Sequence, residues 1–95
     1  MDAGCNTGVT GWRLFQKGFL GRYYGVDSNW KALLLAEGNM AGHNAVFKQD
    51  DLAKLSFPDQ YADIVFSKDV IEHCLGYDDI LKDLCRVMKT YFIFW

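Results

Sequence analysis

Asp2-Ala3-Gly4-Cys5-Asn6-Thr7-Gly8 is the stretch on which the fold turns. Met1 to Gly4 reads as the end of a strand. A helix follows from about Val9 to Lys17, with Leu14 and Phe15 inward and Gly18 as its stop. The loop between them is rich in glycine, and its small residues let backbone approach a ligand closely. Asn6 is the best non-glycine choice where a left-handed backbone is needed. Taken alone, the stretch is equally an ordinary tight connection between a strand and a helix.

Short apolar runs and helical stripes alternate along the rest of the chain, the pattern of βα units. Tyr23-Tyr24-Gly25-Val26 is a second strand ending at Asp27. Ser28 caps the next helix, on which Trp30, Leu33, Leu34 and Glu37 share a core-facing stripe, and Gly42 stops it. Ala45 to Lys48 is the third strand, followed by Asp50-Asp51; Leu52 to Gln60 holds a short helical turn or a loop. Ala62 to Ser67 is the fourth strand, and a turn or short helix carries Val70-Ile71-Glu72-His73. A last helix starts near Tyr77, with Asp78 and Asp79 in its first turn and Arg86 and Lys89 in its last, opposing the macrodipole at both ends. Ile80, Leu84, Val87 and Met88 form its inward stripe. Tyr91 to Trp95 is a fifth strand, apolar enough to be buried on both faces. Helical crossovers make the sheet parallel and right-handed, with its ligand crevice at the C-terminal ends of the strands.

Carboxylates gather at that end. Asp27 closes the second strand, where a carboxylate can accept hydrogen bonds from both hydroxyls of a ribose. The plainer alternative is a helix cap; the glycine loop upstream favours the ribose. Asp50 and Asp51 close the third strand, where a carboxylate can accept from the exocyclic amine of adenine; as an isolated pair they would be a solvated acidic turn. Such a set suits a ligand of positive character. A pyrophosphate would be repelled by Asp2, and the GxGxxG spacing of dinucleotide sites is met by Gly4, Asn6 and Val9, two misses in three. A nucleotide-dependent oxidoreductase is therefore disfavoured.

Composition bounds the classes further. The 95 residues make one small domain, 51% hydrophobic with a formal net charge of -2. The basic residues form no block, which argues against nucleic acid as a partner. No apolar run reaches the length of a membrane span and no signal segment opens the chain, so the default expectation is a cytoplasmic protein. Cys5, Cys74 and Cys85 have no metal-ligand spacing, so neither a disulfide framework nor a metal site is expected, and Cys85 reads as a small core residue. Trp12, Trp30, Phe47, Phe66 and Trp95 are the large candidates for the core.

Asp2-Ala3-Gly4-Cys5-Asn6-Thr7-Gly8 resembles the DxGxGxG loop of class I S-adenosylmethionine-dependent methyltransferases. Tyr24-Gly25-Val26-Asp27-Ser28, with Ala32-Leu33 after it, resembles their second-strand motif. Asp50-Asp51-Leu52-Ala53-Lys54-Leu55-Ser56-Phe57-Pro58-Asp59 is similar to their GDxxxLPFPD segment. Asp63-Ile64-Val65-Phe66-Ser67, Val70-Ile71-Glu72-His73 and Leu84-Cys85-Arg86-Val87-Met88-Lys89 follow DxVxS, VLEH and LxRVLK. The ordered set spans nearly the whole chain, type 11-like in its domain. Asn6 stands for the central glycine, Ala62 for an aromatic, and Thr90-Tyr91 for a Pro-Gly-Gly turn.

The resemblance implies a Rossmann-like α/β fold, a truncated class I domain over residues 1–95 with about five parallel strands in the order 3-2-1-4-5 and flanking helices. It implies S-adenosylmethionine as cofactor and a methyl acceptor, taken to be a small molecule. Asp2, Gly4 and Gly8 would shape the loop around the methionine end, with Cys5 and Asn6 lending backbone. Asp27 would hold the ribose hydroxyls, with Ser28 or Asn29 near the adenine. Asp51 with Leu52 would read the adenine ring, Asp50 being the alternative register, and Ser67 would touch the methionine portion. Asp69, Glu72 and His73 are candidates for a general base. A first strand of about three residues and an end within an apolar strand lead us to expect a partial sequence. A non-catalytic remnant of the same fold, acting as a binding module, is the alternative function.

Overall fold

A computed structural model describes residues 1–68 and 77–94 of the chain. Five parallel strands form one sheet in the order β3-β2-β1-β4-β5, as the family resemblance implies. They are β1 (Asp2–Ala3), β2 (Tyr23–Asp27), β3 (Ala45–Gln49), β4 (Ala62–Ser67) and β5 (Met88–Phe94). The helices are α1 (Val9–Gln16), α2 (Trp30–Asn39) and α3 (Tyr77–Val87). β1 is short but central. Asp2 pairs with Gly25 on one side and Phe66 on the other, and the Met1 carbonyl accepts from the Phe66 N–H at 3.0 Å.

Alternation along the strands sends side chains to two cores. Ala3, Val26 and Val65 pack with Ile80, Leu84 and Val87 of α3 and with Leu55. Tyr23 and Cys5 pack on the other face with Leu33 of α2 and Met40 just after it, and Leu14 and Phe15 of α1 lie half-buried against them. The Leu52–Gln60 stretch contains turns and one isolated bridge, Asp51 to Lys54.

Several expectations are corrected. Asn29, not Ser28, caps α2: its side chain accepts from the N–H groups of Lys31 and Ala32 at 3.1 and 3.4 Å. The buried face of α2 is Ala32, Leu33 and Ala36, while Trp30, Leu34 and Glu37 are exposed. Close approach explains this choice: a Cβ on Gly8 would stand 3.2 Å from the Ala36 Cβ, so only small residues fit that seam. Trp12 and Trp30 are half-exposed rather than core, and Cys85 is exposed. Lys89 lies in β5, not in the last helical turn.

β5 begins directly after α3, so the Thr90-Tyr91 position needs no separate turn. Two steps on β4 (Ala62 to Ile64) face three on β5 (Met88 to Tyr91), and this bulge takes up the extra residue. β5 is not buried on both faces: Tyr91 is 62% and Ile93 51% exposed, because no described element covers that part of the sheet. The Val70–His73 segment, Cys74 and Trp95 lie outside the described residues.

Two glycines offer a test with opposite signs. A Cβ on Gly11, inside α1, would meet the Tyr23 ring at 2.5 Å and Met40 Cε at 2.9 Å; on Gly38, inside α2, it would meet nothing within 4 Å. Overpacking costs roughly 1–3 kcal/mol, more than the about 1 kcal/mol that Ala gains over Gly in a helix. Urea unfolding is expected to show Gly11→Ala destabilised and Gly38→Ala stabilised by about 0.5–1 kcal/mol.

Candidate functional site

The glycine loop sits at the C-terminal end of β1, against the end of β2. Three of its residues have left-handed backbone, Gly4 and Gly8 at φ 82° and Asn6 at φ 50°, so Asn6 adopts the conformation its side chain tolerates. The Gly4 and Cys5 N–H groups both donate to the Val26 carbonyl, at 2.7 and 3.0 Å, and the Cys5 carbonyl accepts from the Gly8 N–H at 3.0 Å. The backbone of Cys5 is thus used in folding the loop, and its side chain is buried beneath it. Thr7 is held by Asn39, whose Nδ2 donates to its carbonyl at 3.1 Å.

Asp27 joins the loop to α2. Its Oδ2 accepts from the Asn6 N–H at 2.8 Å and its Oδ1 from the Asn29 N–H at 2.9 Å. Since Asn29 is the cap, Asp27 is not one. Each carboxylate oxygen keeps further acceptor capacity, which is what a pair of vicinal hydroxyls requires. Ser28 is exposed, and its carbonyl accepts from Gln49 Nε2 at 3.1 Å.

Asp50 and Asp51 differ in their surroundings. Asp50 is tied inward: its Oδ1 accepts from the Asp51 N–H at 3.0 Å, and its Oδ2 from the Ser56 N–H and hydroxyl at 2.9 and 2.8 Å. Asp51 is exposed, and among the described residues its carboxylate accepts only from the Ala53 N–H, at 2.9 Å. Leu52, beside it, is half-buried against the α3-side core. Ser67 ends β4 almost fully buried, and its hydroxyl finds no partner among the described residues. A buried unsatisfied hydroxyl costs roughly 1–3 kcal/mol. Asp69, Glu72 and His73 lie outside the described residues.

Asp2 is buried under the loop, where its carboxylate accepts from the Tyr23 hydroxyl. Burial pushes its pKa up to about 6, against the opposing effect of that hydrogen bond. Tyr23 was not among the sequence candidates. The signal was present: two residues before Gly25, which pairs with Asp2, it shares that face of the sheet. Among the described residues no group of His, Cys, Asp or Glu could hold a metal ion, and no helix is long and apolar enough to cross a membrane.

Asn6, Asp27 and Asn29 are therefore one hydrogen-bonded unit, to which Gly4 and Gly8 are tied through the Val26 and Cys5 carbonyls. Asp27 also meets the third-strand end, since its carbonyl accepts from the Asp50 N–H at 3.1 Å. The arrangement offers backbone of low bulk, acceptor carboxylates and negative potential, which together suit a cationic ligand carrying hydroxyls and an amine.

Residues 1–94 match the family model described as a methyltransferase domain. No curated protein sequence matches the chain. Among solved structures, a protein of Pyrococcus horikoshii OT3 is 28% identical with a TM-score of 0.85, over 98% of this chain and 47% of that one. An S-adenosylmethionine-dependent methyltransferase of Mesorhizobium loti is 20% identical with a TM-score of 0.83, over 98% and 44%. The cyclase SpnF is 21% identical with a TM-score of 0.82, over 93% and 34%. The chain spans about half or less of the length of these structures.

The Asp2–Tyr23 pair has a testable consequence. A raised carboxyl pKa means that the folded chain takes up a proton at higher pH than the unfolded chain. The stability it contributes is present at low pH and is lost as pH rises through about 6. Between about pH 7 and about pH 4.5, the stability of the native chain relative to Asp2→Asn is expected to increase, as read by urea unfolding at each pH; a constant difference would remove the buried-acid assignment.

Proposed function

The chain belongs to the methyltransferase domain family, and on that premise we propose that it forms the S-adenosylmethionine-binding part of a methyltransferase acting on a small molecule. The observation that carries the proposal is the Asp27 carboxylate, locked at the loop by two backbone N–H groups with acceptor capacity to spare. Ribose hydroxyls are donors of the right kind and spacing for it.

The remaining residues fit the same ligand. Gly4, Asn6 and Gly8 admit the methionine end to the backbone; Asp51 with Leu52 takes the adenine edge, Asp50 serving to shape the turn. Ser67 supplies a buried hydroxyl, unpartnered among the described residues, toward the methionine portion. Asp2 acts from beneath, bracing the loop through Tyr23 and adding to the negative potential. When bound, the cofactor supplies a sulfonium whose methyl is already activated for in-line displacement. The chain's own part is to hold that group in position and in a favourable field. The modest negative charge and dispersed lysines support a small-molecule acceptor over a nucleic acid.

The second reading is a module that binds the cofactor, or a partner, without transferring methyl. It is favoured by the likeness to a cyclase of the same fold, since fold alone does not prescribe chemistry.

Calorimetric titration with S-adenosylhomocysteine tests the proposal. Saturable binding is expected, weakened by about tenfold to a hundredfold in Asp27→Ala, the loss of one or two charge-assisted hydrogen bonds. Native near-ultraviolet dichroism in the variant would exclude unfolding as the cause. A folded chain that does not bind the ligand would refute the cofactor site.

A further inference from the structure

The connection between β3 and β4 carries Asp51, yet has little regular structure of its own. Its backbone is gripped from α3. The Leu55 N–H donates to Asp83 Oδ2 at 2.6 Å, and the Leu55 carbonyl accepts from Arg86 Nη2 at 2.9 Å. Arg86 Nη1 donates to the Phe57 carbonyl at 2.9 Å and to Asp59 Oδ1 at 2.7 Å. Its Nε and Nη2 also meet the two Asp83 oxygens, at 2.8 and 3.2 Å. The Arg86 carbonyl closes the far end, accepting from the Gln60 N–H at 2.9 Å. The guanidinium holds the Asp83 carboxyl below its usual range.

These bonds continue to the site. Ser56, next to the doubly held Leu55, donates twice to Asp50, and Asp50 accepts from the Asp51 N–H. An unbroken path of hydrogen bonds and backbone therefore joins the guanidinium to Asp51. An exposed ion pair would be a weak explanation of so much geometry. A planar fork that binds two carbonyls and two carboxylates fixes position in a way an ammonium cannot.

We propose that Arg86, acting with Asp83, is a positioning residue for adenine recognition: it fixes the Leu55–Phe57 backbone and, through Ser56 and Asp50, sets where the Asp51 carboxylate stands. The inference rests on the reading of Asp51 as acceptor for the adenine amine. Arg86 itself touches no ligand.

The test compares S-adenosylhomocysteine with S-inosylhomocysteine, in which an oxo group replaces the amine. Calorimetry on the native chain is expected to show a preference for the adenosyl ligand of about tenfold. Asp51→Ala and Arg86→Lys are each expected to remove most of it, leaving inosyl affinity unchanged, and the double variant to remove no more. A merely structural Arg86 would weaken both ligands by the same factor, and that result overturns the proposal. If Asp51→Ala abolishes the preference and a folded Arg86→Lys retains it, the positioning role alone falls. If Asp51→Ala retains the preference, the reading of Asp51 falls, and the inference with it. Should Arg86→Lys fail to fold, Asp50→Ala cuts the path, since it removes the acceptor of both Ser56 bonds and of the Asp51 N–H. A severalfold loss of preference is expected from it, and an unchanged preference overturns the relay.

Discussion

The Asp27 carboxylate, bonded through one oxygen to the Asn6 N–H and through the other to the Asn29 N–H, is the constraint on which the site depends. It ties the glycine loop of one βα unit to the helix start of the next. Without an acceptor there, two backbone donors at the sheet's C-terminal edge would need other partners. The left-handed run through Gly4, Asn6 and Gly8 would also lose its anchor. A carboxylate already placed by rigid backbone meets a ligand without paying to be ordered. On the proposed reading, an acidic residue at this strand end serves binding better than one on a free loop.

Around it, the two cores do separate work. The α3-side core, with Val26, Val65 and Leu84, holds the centre of the sheet and the β3–β4 connection. The opposite core sets α1 and α2 against β2 through a seam of small residues, in which Gly8 abuts Ala36 and Gly11 abuts Tyr23. The buried Asp2–Tyr23 bond lies within that second core, directly under the loop it braces. Folding and the geometry of the loop are thus served by the same contacts.

Much of this was legible in the sequence, because the strands and the glycine loop obey short-range rules. The fourth strand matches its expected bounds, Ala62 to Ser67, and the order 3-2-1-4-5 follows from the family resemblance. What was not legible depends on neighbours. On α2 the Trp30–Leu34 and Ala32–Ala36 pairs both satisfy helical spacing, and only the closeness of Gly8 selects the alanines. Ser28 and Asn29 are both good caps, and the Asp27 bond to the Asn29 N–H places the chain for the second. The family resemblance favours Asp51 over Asp50 without a physical reason, and Ser56, six residues beyond Asp50, supplies one by claiming the Asp50 carboxylate. Arg86 read as a charge opposing a helix dipole, since its carbonyl partners lie about thirty residues away in sequence.

The central claim is that the loop, the β2 end and the β3 end form one S-adenosylmethionine site. Amide chemical shifts of the isotope-labelled chain, followed during titration with S-adenosylhomocysteine, test it most directly. The account predicts that the Asn6, Asn29 and Ala53 amides, which donate to Asp27 and Asp51, shift together with a single saturation curve. Saturable shifts confined to other residues, with these three amides unmoved, would contradict it.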